Sequence, residues 1–447
     1  SLVGASDYFQ NVQAAVPPSP DVPVNPFAAK RARLAAYIKS EDSMRHQALQ
    51  KIRMMLFSDP AASELGLLLI RCAVEPGGAE LVQKSVEDTF SAKSAATLTK
   101  RTAALWSFFR YLRGLGCMPL RFTEEQVYFY INHLRDQKRG ATAPASFLQA
   151  LQFFNGMLKF KEVAMGSVIS GRVKGAARSH YETKRPLKQA RPLTVAMLKT
   201  LEQIAVKGSG VARLVAGHVC WCVFSCSRWS DSTKIQLPTF SQARGVRLVE
   251  SSATRYKTAT TQEKRTRFLP YMALGLGLSD ESWSDGWAEA LKQLPPDACC
   301  VIPAISSDMP TFLSRPMGSG EASLWIHELL VSEGFTEAEC RGVTSHSLKA
   351  TLLTWSAMSG RVNMEDRRLI GHHVDKNAAS PLNYSRDEAT RLCALIFGVL
   401  QLIRLGELVP DQARVARLAD LIGQSEPQGT EPEAASSDES SNDIDDE

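Results

Sequence analysis

Residues 344–384 read TSHSLKATLLTWSAMSGRVNMEDRRLIGHHVDKNAASPLNY, and they gather His346, Lys349, His372, His373 and Tyr384. A polar His-Ser-Leu-Lys cluster opens an apolar helical pattern, Gly-His-His follows a second short helix, and a single Tyr follows a loop. The spacing suits neither a metal site nor a serine triad. Cations and imidazoles in the company of one phenol suit a phosphate, with the phenol as nucleophile.

Outward from that stretch, 447 residues are enough for two or three domains. The 44% hydrophobic content is that of a globular chain with sizeable cores. No apolar run reaches spanning length, and no charged-then-apolar leader opens the chain. A start at Ser1 is what a fragment, or a piece of a longer polyprotein, would show. Nine Cys without framework spacing suit free thiols in a reducing compartment. Cys220, Cys222 and Cys226 lie with His218 in the apolar run VAGHVCWCVFSCS, where core packing is favoured over zinc binding. Residues 426–447 hold nine acids and no Lys or Arg, so the overall charge of +5 conceals +14 on the rest. A basic body points to a polyanionic partner.

Taken in order, residues 1–85 read as an N-terminal extension, disordered at first and helical from about residue 26. Residues 86–170 carry three helical patterns and read as a compact bundle. One runs from Ser94 to Arg113, one opens on the capping box Thr123-Glu-Glu-Gln126, and one begins near Thr142. Residues 171–192 hold seven Lys or Arg and one acid, and read as a basic linker. Arg172, Lys174, Arg178, Lys184, Arg185, Lys188 and Arg191 would there track a phosphate backbone. A second domain spans 193–405. It has a buried helix over 211–227 and β-prone segments at 246–251, 253–260 and 266–271, the last three suggesting a small antiparallel sheet. Residues 406–447 read as a short helix and a disordered acidic tail. The fold class expected is mainly α with a small antiparallel β-sheet.

A phosphodiester in its transition state needs fixed donors and an acid for the leaving oxygen. Arg228, at the end of the buried helix with Asp231 to orient it, is the candidate fork, and Lys257 in ATRYKTATT is the candidate acid. Arg228-Trp-Ser-Asp231, Lys257, His346-Ser-Leu-Lys349, Leu369-Ile-Gly-His372 and Tyr384, in that order, resemble the motif set of the tyrosine recombinase (phage integrase-like) family. The resemblance covers residues 193–400, and the bundle at 86–170 resembles the family's helical core-binding domain. It extends to the divergent recombinases of eukaryotic mobile elements.

The resemblance implies attack by Tyr384 on the scissile phosphate, giving a 3′-phosphotyrosine and a free 5′-hydroxyl. Arg228, Lys349 and His372 would hold the phosphate, His346 would accept or position a proton, and Lys257 would be the general acid. His373 is an alternative to His372. It further implies double-stranded DNA as partner, clasped by two domains, and a homo-oligomer that is a tetramer in synapsis. No cofactor, metal or membrane is called for. The location would be nuclear in a eukaryote and cytoplasmic or nucleoid otherwise. This chain departs from the family in having Lys349 where a second arginine is usual, and in a longer His372–Tyr384 gap containing Asn377-Ala-Ala-Ser-Pro381. Two rivals stand beside this reading. One is a type IB topoisomerase-like enzyme. The other is a catalytically decayed DNA-binding protein.

Overall fold

The computed structural model describes residues 26–37, 40–184, 190–253, 269–306, 311–372 and 386–423. The chain forms two compact units, divided between Gln189 and Ala190. Both are mainly helical, with small antiparallel sheets confined to the second. The fold class is the one expected from the sequence. Among the described residues no helix is long and apolar enough to cross a membrane.

The first unit begins with α1 (Pro26–Tyr37) and α2 (Glu41–Ser58), the latter capped by the Ser40 hydroxyl. A 3₁₀ turn at Pro60–Ala62 leads to α3 (Glu64–Ala73) and α4 (Gly78–Phe90). Then come α5 (Ala95–Gly114), α6 (Glu124–Asp136) and α7 (Ala143–Leu158). The short α8 (Met165–Val168) and α9 (Gly171–Lys184) complete it. The capping box on α6 forms as its sequence implies: Gln126 N–H donates to Thr123 Oγ1, and Thr123 N–H donates to Gln126 Oε1. Phe108 is the hub of the core, its ring 5.4, 5.0 and 4.8 Å from those of Phe122, Tyr130 and Phe147.

Two readings of this region are corrected. The core does not begin at residue 86: Ile52, Met55, Leu56 and Leu69 are fully enclosed in it, because α2 lies along α5. Nor is 171–192 a linker throughout. Residues 171–184 are helix α9, which buries Val173, Ala177 and His180 against α6 and α7. His180 Nε2 lies 3.1 Å from Arg139 O, and Arg135 donates to Ala176 O. The burying residues are mostly small, so the helix sits close to its neighbour without showing a strong apolar stripe.

The second unit opens with α10 (Val195–Lys207), capped by Thr194, and α11 (Gly210–Phe224). From Leu214 to Phe224 every residue of α11 is buried, as an all-apolar helix requires. The four-residue α12 (Trp229–Ser232) follows. Strands β1 (Thr239–Ala243), β2 (Val246–Ala253) and β3 (Leu269–Leu274) form an antiparallel meander, with Val249 opposite both Phe240 and Ala273. Helix α13 (Trp283–Lys292) packs on α11. There Gly217 admits Trp287: a Cβ at this glycine would lie 2.4 Å from Trp287 Cδ1. A two-stranded hairpin, β4 (Pro303–Ile305) and β5 (Phe312–Pro316), precedes α14 (Ser319–Ser332). Helices α15 (Ser345–Met358), α16 (Met364–Ile370), α17 (Arg386–Arg404) and α18 (Arg414–Gly423) follow.

Candidate phosphate-binding site

The site is built where α11 ends, where α15 begins and where α16 ends. Helix α11 runs out at Ser225, and the chain turns through Cys226, whose φ of 47° lies in the left-handed region. Arg228 is then the N-cap of α12, so its side chain leaves the buried helix at a point of access. A quarter of that side chain is exposed, and its Nη1 lies 3.4 Å from Oδ2 of buried Asp231.

The support beneath Arg228 is polar and enclosed. Trp229 Nε1 donates to Met317 O at 2.9 Å. Ser232 Oγ donates to Trp229 O at 2.9 Å, receives the Cys222 thiol at 3.1 Å and lies 3.0 Å from His218 Nε2. His218 and Cys222 are one helical turn apart on α11, so both reach the same hydroxyl. Cys220, Cys222, Cys226 and His218 are all buried, in keeping with core packing.

Burial lowers the His218 pKa to about 3. Between its unfolded value near 6.5 and about 3, the unfolded chain therefore carries a proton that the folded chain refuses. Stability contributed by neutral His218 is present above pH 6.5 and is lost as pH falls through that window, at about 1.4 kcal/mol per pH unit. Urea titrations at stepped pH are expected to show this slope, and His218→Gln, which retains a partner for Ser232, is expected to flatten it by one proton. Identical slopes in both chains would show that His218 titrates normally.

Helix α15 is opened by Thr344, whose backbone N–H is held by Ser347 Oγ at 2.9 Å in a reciprocal cap. Its first turn presents His346 to solvent, and half-buried Lys349 follows on the same side of the helix. Lys349 Nζ donates to Gly371 O, the carbonyl at the end of α16. The next residue, His372, sits at a φ of 51° and places Nε2 3.0 Å from Ser225 O. Its ring meets the buried Tyr271 edge-on, with centroids 4.4 Å apart. Burial pushes the Cys226 thiol up to about 12, and the charge of nearby Lys349 works against that rise.

His372 is thus tied to Ser225, three residues before Arg228, while Lys349 is tied to Gly371, the residue before His372, and Asp231 to Arg228. Lys257, His373 and Tyr384 lie outside the described residues. Sequence reasoning did not find the role of Tyr271, which β3 carries against His372. It singled out His218 and Cys222, but without the hydroxyl of Ser232 that they share.

The basic residues of 171–191 are placed differently. Arg172 pairs with Glu124 at 2.5 Å and stacks over Tyr128 at 4.2 Å, so its charge is partly spent inside the first unit. Arg178 pairs with Glu182 along the same helix at 2.7 Å, and Lys174 is exposed. Lys184 closes α9, while Arg185 and Lys188 lie outside the described residues. Arg191 belongs to the second unit, where its Nη1 donates to Glu339 O at 3.2 Å.

Two cations and an imidazole on a rigid frame can hold a tetrahedral oxyanion. No family model and no curated protein matches the chain. Among solved structures it is similar to the XerH site-specific recombinase bound to palindromic difH substrate in a post-cleavage complex. That match has 10% identity and a TM-score of 0.39, over 79% of this chain and 96% of that one. It is also similar to XerH bound to difH substrate in a pre-cleavage complex, with 12% identity, a TM-score of 0.37 and coverage of 76% and 95%.

Proposed function

We propose that this chain is a site-specific DNA recombinase that cleaves and rejoins strands through a 3′-phosphotyrosine at Tyr384. The observation that supports the reading is the pair of bonds that tie His372 to Ser225, three residues before Arg228, and Lys349 to Gly371, the residue before His372. The first of these bonds joins segments 147 residues apart. Arg228 on Asp231 and Lys349 on the Gly371 carbonyl are each held by one partner, and a guanidinium and an ammonium so held retain donors for an anion.

In this scheme the phenol of Tyr384 gives its proton to His346, attacks phosphorus, and displaces the 5′ oxygen, which takes a proton from Lys257. Arg228 and Lys349 neutralise the charge gathered on the non-bridging oxygens, and His372 donates to one of them by turning Nε2 from the Ser225 carbonyl. The phosphotyrosine bond keeps the energy of the broken phosphodiester, so a 5′-hydroxyl from a second duplex can reverse the step and exchange strands. The partner is double-stranded DNA, held by a homo-oligomer that is tetrameric in synapsis.

The test uses nicked suicide duplexes tiled across the DNA that flanks the coding sequence. The wild-type chain is expected to form a covalent adduct on one of them, and Tyr384→Phe none. Two marked duplexes then separate exchange from relaxation. Supercoil relaxation without exchanged product would assign a type IB topoisomerase-like activity, and no adduct on any duplex would leave a DNA-binding protein without cleavage.

A further inference from the structure

Cys299 and Cys300 sit side by side in the loop between α13 and β4, with their sulphurs 3.6 Å apart. Cys299 is exposed and Cys300 is half-buried, whereas Cys220, Cys222, Cys226 and Cys340 are enclosed in the core. Directly after the pair the chain dives inward: Val301 and Ile302 are buried, and Ile302 O accepts the Met317 N–H at 3.0 Å. Met317 O in turn accepts Trp229 Nε1–H, and Trp229 follows Arg228. Two hydrogen bonds therefore link the backbone beside an accessible dithiol to the residue that carries the Arg228 support.

We propose that Cys299–Cys300 is a redox-responsive dithiol, which closes to a vicinal disulfide on meeting a low-molecular-weight disulfide and thereby shifts the Ile302–Met317–Trp229 strut beneath Arg228. The Cys299 thiolate attacks one sulphur of the small disulfide, forming a mixed disulfide and releasing one small thiolate. Cys300 then gives its proton to solvent and attacks the Cys299 sulphur, releasing the second. Two protein thiols are oxidised and one small disulfide is reduced to two thiols, so the exchange balances. Burial pushes the Cys300 thiol up to about 12, which makes exposed Cys299 the first attacker.

Geometry gives closure its mechanical effect. Neighbouring Cα atoms are about 3.8 Å apart, below the roughly 4.4–6.8 Å that disulfides prefer. The sulphurs must also approach from 3.6 Å to about 2.05 Å. The peptide between them has to twist. Upstream, Pro295 and Pro296 hold φ fixed and resist the twist. The displacement therefore passes downstream to Ile302. A bond under such strain is readily reduced, so the device resets. The inference holds whatever chemistry Arg228 performs.

The test treats the full chain with oxidised glutathione, then with dithiothreitol. Cleavage after glutamate releases residues 290–321 as one peptide that contains both cysteines and no other. After oxidation this peptide is expected to be lighter by two hydrogens, to carry no glutathione, and to regain them on reduction. In the same sample the Met317 amide should exchange its hydrogen on the order of tenfold faster. A Cys299→Ser chain treated alongside should show neither change. A peptide that stays reduced or stops at the glutathione adduct overturns the proposal, and so does closure that leaves Met317 exchange unaltered.

Discussion

Replacing Arg228 by alanine is expected to slow covalent adduct formation by about 10³-fold. Among the described candidate residues only the Arg228 guanidinium can grip two phosphate oxygens at once, and it works from a buried frame where charge is poorly screened. Asp231 and the Trp229–Met317 bond hold that frame in the free chain, which under the proposed chemistry lowers the reorganisation that cleavage requires. Single-turnover cleavage of the trapped duplex measures the loss, and the urea midpoint of the same chain shows whether Asp231 misses its partner. Arg228→Lys should recover part of the rate, since it restores charge without the fork. By the same reasoning Lys349→Arg should retain or raise cleavage. An Arg228→Ala chain that cleaves at the wild-type rate would reduce Arg228 to a structural partner of Asp231.

Trp287→Ala should produce the largest loss of stability, about 3–5 kcal/mol in the unfolding of the second unit. The indole is completely enclosed. It stacks on Trp221 at 5.7 Å and meets His218 at 5.7 Å and Phe240 at 6.0 Å. Its contact face lies against Gly217, a position that no side chain can fill in compensation without moving α11 from α13. Six of the seven tryptophans belong to this unit, so indole emission follows its transition in urea. The midpoint should fall with little change in slope, because the surface exposed on unfolding is nearly the same. Adduct formation should fall as well, since His218 loses a wall and Ser232 depends on His218. A loss under 1 kcal/mol would mean that the core closes over the gap.

The elements legible in the sequence were those with a strong local signal. The helix starts read at Ser94 and at the Thr123 capping box are both caps in the structure, because a side-chain oxygen three residues before an amide is a short-range device. Strand β1 was missed: TFSQA is exposed along its whole length and alternates in nothing. The β4–β5 hairpin was missed because its strands are short and sit amid Pro and Ser. Helix α9 was mistaken for linker because its contacts use alanine, valine and one histidine, while its charges dominate the composition. At the candidate site, residue types and order were readable, since each motif is local. The bond from His372 to Ser225 was not, because nothing near either residue names a partner 147 residues away.

That separation has a consequence for synthesis. A ribosome adds roughly 5–20 residues per second, so Arg228 is made about 7–30 s before His372. Throughout that interval the nascent chain holds one cationic arm of the site and lacks the carbonyl that anchors Lys349. Ser225 likewise waits for the imidazole that meets its carbonyl. The ties among these segments can therefore close only after residue 372 has been made, late in synthesis.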